Sequence, residues 1–97
     1  MNSMIIYLYC VRDLVSGVFN PPMYFVTDID AIRWFRTQCY SDPVLYHNRN
    51  DFELVCLGTF DRENGDFSVL QHRSVLFGSS VKQMVVDEQA EFTDDSA

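Results

Sequence analysis

The chain has 97 residues, 47% of them hydrophobic, with 8 Phe and 5 Tyr; this composition excludes a disordered chain and fits one small folded domain. Its 14 acidic and 7 basic side chains give a formal net charge of −7, which leaves no general basic footprint for nucleic acid. No apolar run approaches the roughly 20 residues of a bilayer span, and the opening Met-Asn-Ser-Met-Ile-Ile-Tyr-Leu-Tyr-Cys lacks the basic region and cleavage site of a signal peptide, so a cytosolic protein without a membrane partner is expected.

Met4 to Arg12 has the pattern of a first strand. Alternation puts Met4, Ile6, Leu8 and Cys10 on one side and Ile5, Tyr7, Tyr9 and Val11 on the other, and both sides are apolar or aromatic. Asp13 to Asn20 reads as a loop leading to Pro21 and Pro22, which cannot donate to a sheet ladder. Met23 to Val26 has strand composition. Thr27 and Asp28 are good N-cap residues, and Thr27 with Asp30 imitates a capping box. Ile29, Ile32, Phe35 and Cys39 then follow at helical spacing, with Arg33, Arg36 and Gln38 off the stripe. Ser41-Asp42-Pro43 ends this helix, because proline disfavours helical geometry in the residue before it. Val44 to Asp51 reads as a polar connection holding at most one turn.

Phe52 to Phe60 is the third strand, and Asp61-Arg62-Glu63-Asn64-Gly65-Asp66 marks a hairpin through its Asn-Gly pair. Phe67 to Gln71 returns as the fourth strand. Beyond it, Ser74 to Phe77 is a candidate short strand, Gly78-Ser79-Ser80 a break, and Val81 to Val86 a final strand or docking arm. Asp87, Glu88, Glu91, Asp94 and Asp95 make the last eleven residues acidic; removing these five from the 14 acidic side chains leaves 9 against 7 basic ones, a body of −2. The expected organisation is a single α+β domain, residues 1–86, with an acidic mobile tail, 87–97.

The element order β-β-α-β-β implies a small antiparallel sheet of about four strands with one helix on one face. One helix covers one face, so Tyr7, Tyr9, Val55 and Leu57 are expected on the uncovered one, where another subunit would bury them in a homo-oligomer. The competing expectation is that Ser74 to Val86 folds back over that face.

The chain holds no glycine-rich phosphate loop, no Cys/His cluster at metal spacing and no nucleophile elbow. Cys10, Cys39 and Cys56 are odd in number and lie in apolar patterns, as free thiols in a reducing compartment do. His47 and His72 read as surface imidazoles, Asp28 and Asp30 as helix-capping groups, and the acidic hairpin as a solvated turn. The expectation is a non-enzyme with no cofactor and no metal. Single-stranded DNA would need aromatic platforms beside cations. Tyr24, Trp34 and Tyr46, with Tyr7 and Tyr9, are the candidate platforms, and Arg12, Arg33, Arg36, Arg49, Arg73 and Lys82 the candidate cations; an oligomer face and ordinary helix-surface arginines account for the same residues at least as well.

The order of several short motifs carries a resemblance. Val11-Arg12-Asp13 is followed by Phe19-Asn20-Pro21-Pro22, by a helix start with Thr27, Asp28, Ala31, Ile32 and Arg33, by Asn50-Asp51-Phe52-Glu53-Leu54, and by Leu57-Gly58-Thr59-Phe60-Asp61 before Asn64-Gly65. Over roughly residues 5 to 70 the chain resembles the small nonstructural protein of gokushoviruses, single-stranded DNA phages of the microvirus group. The resemblance implies a nonstructural protein of the host bacterial cytoplasm that binds DNA where duplex replication gives way to single-strand synthesis and packaging. The alternative is a protein-interaction module that contacts phage replication or procapsid proteins and leaves DNA alone.

Overall fold

The computed structural model describes residues 4–83, so the acidic segment 87–97 and the end of the expected C-terminal arm lie outside the described residues. The elements are β1 (Ile5–Asp13), β2 (Met23–Phe25), α1 (Asp28–Ser41), α2 (Pro43–His47), β3 (Phe52–Asp61) and β4 (Phe67–Phe77), with 3-10 turns at Arg49–Asp51 and Gly78–Ser80. The strands form one antiparallel sheet in the order β2-β1-β3-β4, and α1 lies on one face. This is the α+β architecture expected from the sequence. The connection after α1 is more ordered than expected. Asp42 closes α1 and its carboxylate accepts from the N–H groups of Val44 and Leu45, so it also opens α2, with Pro43 in the first turn.

Local chemistry explains the boundaries. The backbone N–H of Asn20 still donates to Val11, but Pro21 and Pro22 have no N–H to continue, and pairing resumes only at Met23 opposite Tyr9. Thr27 caps α1 through its hydroxyl, which accepts from the Asp30 N–H at 3.2 Å. At the β3–β4 hairpin the Asp61 N–H donates to Asp66 and the Gly65 N–H to Asp61. Of the Asn-Gly pair only Gly65 takes a positive φ, at 81°.

The helix turns a different stripe to the sheet from the one its apolar spacing suggests. Ala31, Phe35 and Cys39 are buried, Ile32 is half-buried and Ile29 is 67% exposed. The core-facing row is Asp28, Ala31, Phe35, Cys39, begun by a charged residue that is bonded to the sheet. Ile29, one position on, is thereby rotated outward. Phe35 and Cys39 pack with Tyr9, Val11, Leu54, Cys56 and Val81 to form the core.

Two expectations about faces are corrected. Tyr9 is fully buried, because α1 lies on the Tyr7/Tyr9/Val11 side, so these tyrosines are not the uncovered face. Val55 does not share their side: it pairs with Cys10 and is 2% exposed. Leu57 is the extra residue of a bulge, between Cys56 opposite Tyr9 and Gly58 opposite Leu8. The fourth strand also continues past Gln71 to Phe77. Gln71 and His72 adopt φ of 54° and 57°, a kink that lets β4 resume pairing at Arg73 opposite Cys56. Ser74 to Phe77 therefore lies beside β3 rather than folding over a face, and Val81 enters the core at the helix side.

At Gly58 the pairing of β3 with β4 leaves no room for a side chain. A Cβ there would run into the backbone carbonyl oxygen of Ser68 and stand 2.8 Å from the Phe67 ring. Backbone cannot swing aside as a side-chain tip can. We expect Gly58→Ala to cost about 1–3 kcal/mol of stability, more than Gly65→Ala, which meets open space and bears only the roughly 1 kcal/mol of a left-handed alanine. Thermal unfolding of the two variants gives the order; equal melting points would contradict the close approach.

Candidate nucleic-acid interface

The register defines the face turned away from α1. Leu8 stands opposite both Tyr24 and Gly58, Ile6 opposite Phe60, Gly58 opposite Val69, and Phe60 opposite Phe67. Paired residues project to the same side, so Tyr24, Phe60 and Phe67 share this face. Tyr24 is 65% exposed and Phe67 50%, and Phe60 is half-buried. Ile6, Leu8, Pro22, Tyr24, Phe60 and Arg62 line an open groove of about 520 Å³. Arg62 is brought there by the hairpin, its N–H donating to the Met4 carbonyl at 2.9 Å.

The other half of the same face is roofed. Phe19 bridges to Arg12 at the β2 side, and its ring meets His72 of β4 with centroids 5.1 Å apart. That contact crosses β1 and β3, and the Cys10–Val55 pair between them is buried. Burial raises the Cys10 thiol above its ordinary pKa, which makes it a packing group rather than a nucleophile. The Arg12 guanidinium stacks 5.3 Å from the Phe19 centroid, and its Nε is buried without a hydrogen-bond partner. Among the described residues, Arg62 borders the open half of this face and Arg12 its roofed half.

Most of the other residues named from the sequence go elsewhere. Arg49 is a structural clamp: Nε donates to the Val81 carbonyl and Nη1 to the Tyr46 carbonyl, both at 2.9 Å, with the guanidinium 4.4 Å from the Tyr46 ring centroid. Trp34 packs against Phe25, centroids 5.9 Å apart, and joins the core margin. Tyr7 is half-buried beside Tyr9. Arg33 and Arg36 are exposed on the outer side of α1, away from the open sheet face. Of the candidate platforms and cations named from the sequence, only Arg12 and Tyr24 belong to the open sheet face. Phe60, Phe67 and Arg62 were missed. Their signal was the hairpin itself, which pairs the Phe before the turn with the Phe after it.

This sequence matches the phage ORF5 protein family over residues 6–92, from β1 past β4. It belongs to that family. No curated protein and no solved structure matches the chain. Among the described residues of this phage protein no group of three or more His, Cys, Asp or Glu could hold a metal ion, and no helix is long and apolar enough to cross a membrane.

Arg73 is engaged at a different place. It donates from Nη1 and Nη2 to the two carboxylate oxygens of Asp28, at 2.9 and 3.0 Å, while the Tyr9 hydroxyl donates to Asp28 Oδ1 at 2.6 Å. The Arg73 bonds, with the Tyr9 bond adding to them, hold the Asp28 carboxyl below the usual carboxylate range. Burial, with Asp28 beside it, pushes the Tyr9 phenol far upward, so its proton stays on as donor.

A depressed carboxylate stabilises the fold above its unfolded pKa of roughly 4 and loses that contribution as pH falls through the lower folded value. We expect an acid limb of unfolding below about pH 4 that Asp28→Ala flattens. Asp28→Ala strands the buried Tyr9 hydroxyl and should cost about 1–3 kcal/mol. Arg73→Ala, removing a partner that is 42% exposed, should cost about 1 kcal/mol or less. Urea unfolding between pH 2 and 8 checks both, and an unchanged acid limb in Asp28→Ala contradicts the assignment.

Proposed function

We propose that this phage protein is a gokushovirus nonstructural accessory protein that binds single-stranded DNA on the open sheet face during genome replication or packaging, in the host bacterial cytoplasm. The observation that carries the reading is the grouping of Tyr24, Phe60 and Phe67 on an uncovered antiparallel sheet with Arg62 in the same groove and Arg12 at the far, roofed end of the same face. Unpaired bases stack on such rings for about 1–3 kcal/mol each, with little regard to sequence. The two bordering arginines supply few phosphate contacts, so binding per subunit is weak. A homo-oligomer that aligns several such faces would raise the avidity without new contacts. Membership of a phage family and the resemblance to gokushovirus proteins support the setting.

A second reading has its own observation. Asp61, Glu63 and Asp66 flank Arg62 in the hairpin, and Arg49 and Arg73 are spent inside the subunit. That favours a protein partner on the same apolar face, one of the phage replication or procapsid proteins, with DNA untouched.

Fluorescence anisotropy with a single-stranded oligothymidylate across a salt series separates the two. The DNA reading expects log affinity to fall against log salt with a slope near −1.4 per subunit, two phosphates at about −0.7 each. Tyr24→Ala or Phe67→Ala should weaken binding roughly 5- to 100-fold. Absence of binding at low salt, or binding indifferent to salt, overturns it. Partners captured from infected cells that survive nuclease treatment support the second reading.

A further inference from the structure

The outer side of α1 presents a second surface that the sheet-face reading leaves unexplained. Ile29, Ile32, Arg33, Arg36, Thr37 and Tyr40 line a groove of about 400 Å³ along the helix. Ile29 at its head is 67% exposed, an unusual place for a large aliphatic side chain beside another at Ile32. Arg33 and Arg36 are exposed one turn apart, and neither makes an ion pair with a described residue, although Asp30 stands one turn before Arg33. The surface thus combines an apolar strip with two unpaired cations.

The chain supplies a complement at the right place. The backbone leaves the described fold at the foot of this groove: Tyr40 donates its hydroxyl to the Lys82 carbonyl at 2.9 Å, and Arg49 fixes the Val81 carbonyl. After Lys82 and Gln83 the chain runs Met-Val-Val-Asp-Glu-Gln-Ala-Glu-Phe-Thr-Asp-Asp-Ser-Ala, with five carboxylates, no cation, and Val85, Val86 and Phe92 as large apolar groups. From Tyr40 back to Ile29 is about 16 Å of helix at 1.5 Å per residue. Residues 84–97 could reach nearly three times that span at full extension, at roughly 3.3 Å each.

We propose that the acidic C-terminal segment, residues 84–97, docks in cis on the outer face of α1, its carboxylates on Arg33 and Arg36 and its apolar residues over Ile29 and Ile32. Tethering beside Tyr40 gives the segment a high effective concentration at the groove, so individually weak surface pairs suffice. Charge decides the sign of the contact: the groove is the exposed place among the described residues where two arginines adjoin without a carboxylate bound to them. The consequence for the protein is one-sidedness. With Arg33 and Arg36 occupied by the chain's own carboxylates, phosphates and acidic partners are turned away from the helix side, and the sheet face is left as the available surface.

The test uses the full chain and no nucleic acid, so its outcome is independent of the DNA reading. The δ1-methyl signals of Ile29 and Ile32 are followed by NMR in wild type and in a variant carrying D87N, E88Q, E91Q, D94N and D95N. Both signals should move in the variant, and should move the same way in wild type as salt approaches about 1 M, where the screening length is about 3 Å. In an Arg33→Gln, Arg36→Gln background the five tail changes should produce no further movement. Signals indifferent to the tail changes overturn the docking. Further movement in the arginine-free background overturns the charge pairing. Signals that depend on protein concentration place a neighbouring copy's segment in the groove and overturn the cis assignment.

Discussion

The arrangement of this protein depends on Asp28. As the first residue of α1 it lies at the positive end of the helix, where a carboxylate is favoured before it contacts anything else. It then accepts from a buried tyrosine of β1 and from both terminal nitrogens of an arginine of β4. One side chain ties the helix start to two strands separated by β3. The bond to Tyr9 has to be kept, because a buried hydroxyl without an acceptor costs more than a surface ion pair contributes. With Asp28 facing the sheet, helical geometry fixes the rest of the row: Ala31, Phe35 and Cys39 face inward, and Ile29 is left outside.

Arg73 reaches Asp28 only because β4 breaks its alternation. Val69 pairs with Gly58 on the open face, and strict alternation would put Arg73, four residues on, on that same face. The successive left-handed residues Gln71 and His72 turn the strand, and Arg73 arrives opposite Cys56 on the helix side. Such a conformation is unfavourable by about 1–2 kcal/mol per residue for side chains other than glycine. The tilted contact of His72 with Phe19 and the two bonds to Asp28 hold it in place. The kink thus roofs half of the open face while completing the polar node on the other.

Covering one face of a sheet with one helix makes a two-sided molecule. On the sheet side, aromatic rings and Arg62 border an open groove, with Arg12 at the roofed end of the face; on the helix side, two arginines stand over an apolar strip. A net body charge near zero disguises this separation. Two of the seven basic side chains, Arg49 and Arg73, are bonded within the fold, so the charge left for partners is set by position more than by total.

The sequence by itself determined the first three strands and the start of the fourth, the capped helix, the proline interruption and the Gly65 hairpin, because each arises from interactions within a few residues: a hydroxyl over a helix N–H, a missing N–H, a positive φ. It also determined that one helix must leave one sheet face bare. Which face was bare only the tertiary structure decided. Alternation in β1 offers two apolar sides of nearly equal quality, and the choice went to Tyr7/Tyr9/Val11 because Tyr9 meets Asp28 there, a partner nineteen residues away. The same holds for the arginines. Arg73 reaches its carboxylate only through the register break at Gln71–His72, and Arg49 clamps the carbonyl of Val81, far along the chain; neither leaves a periodic trace in the sequence.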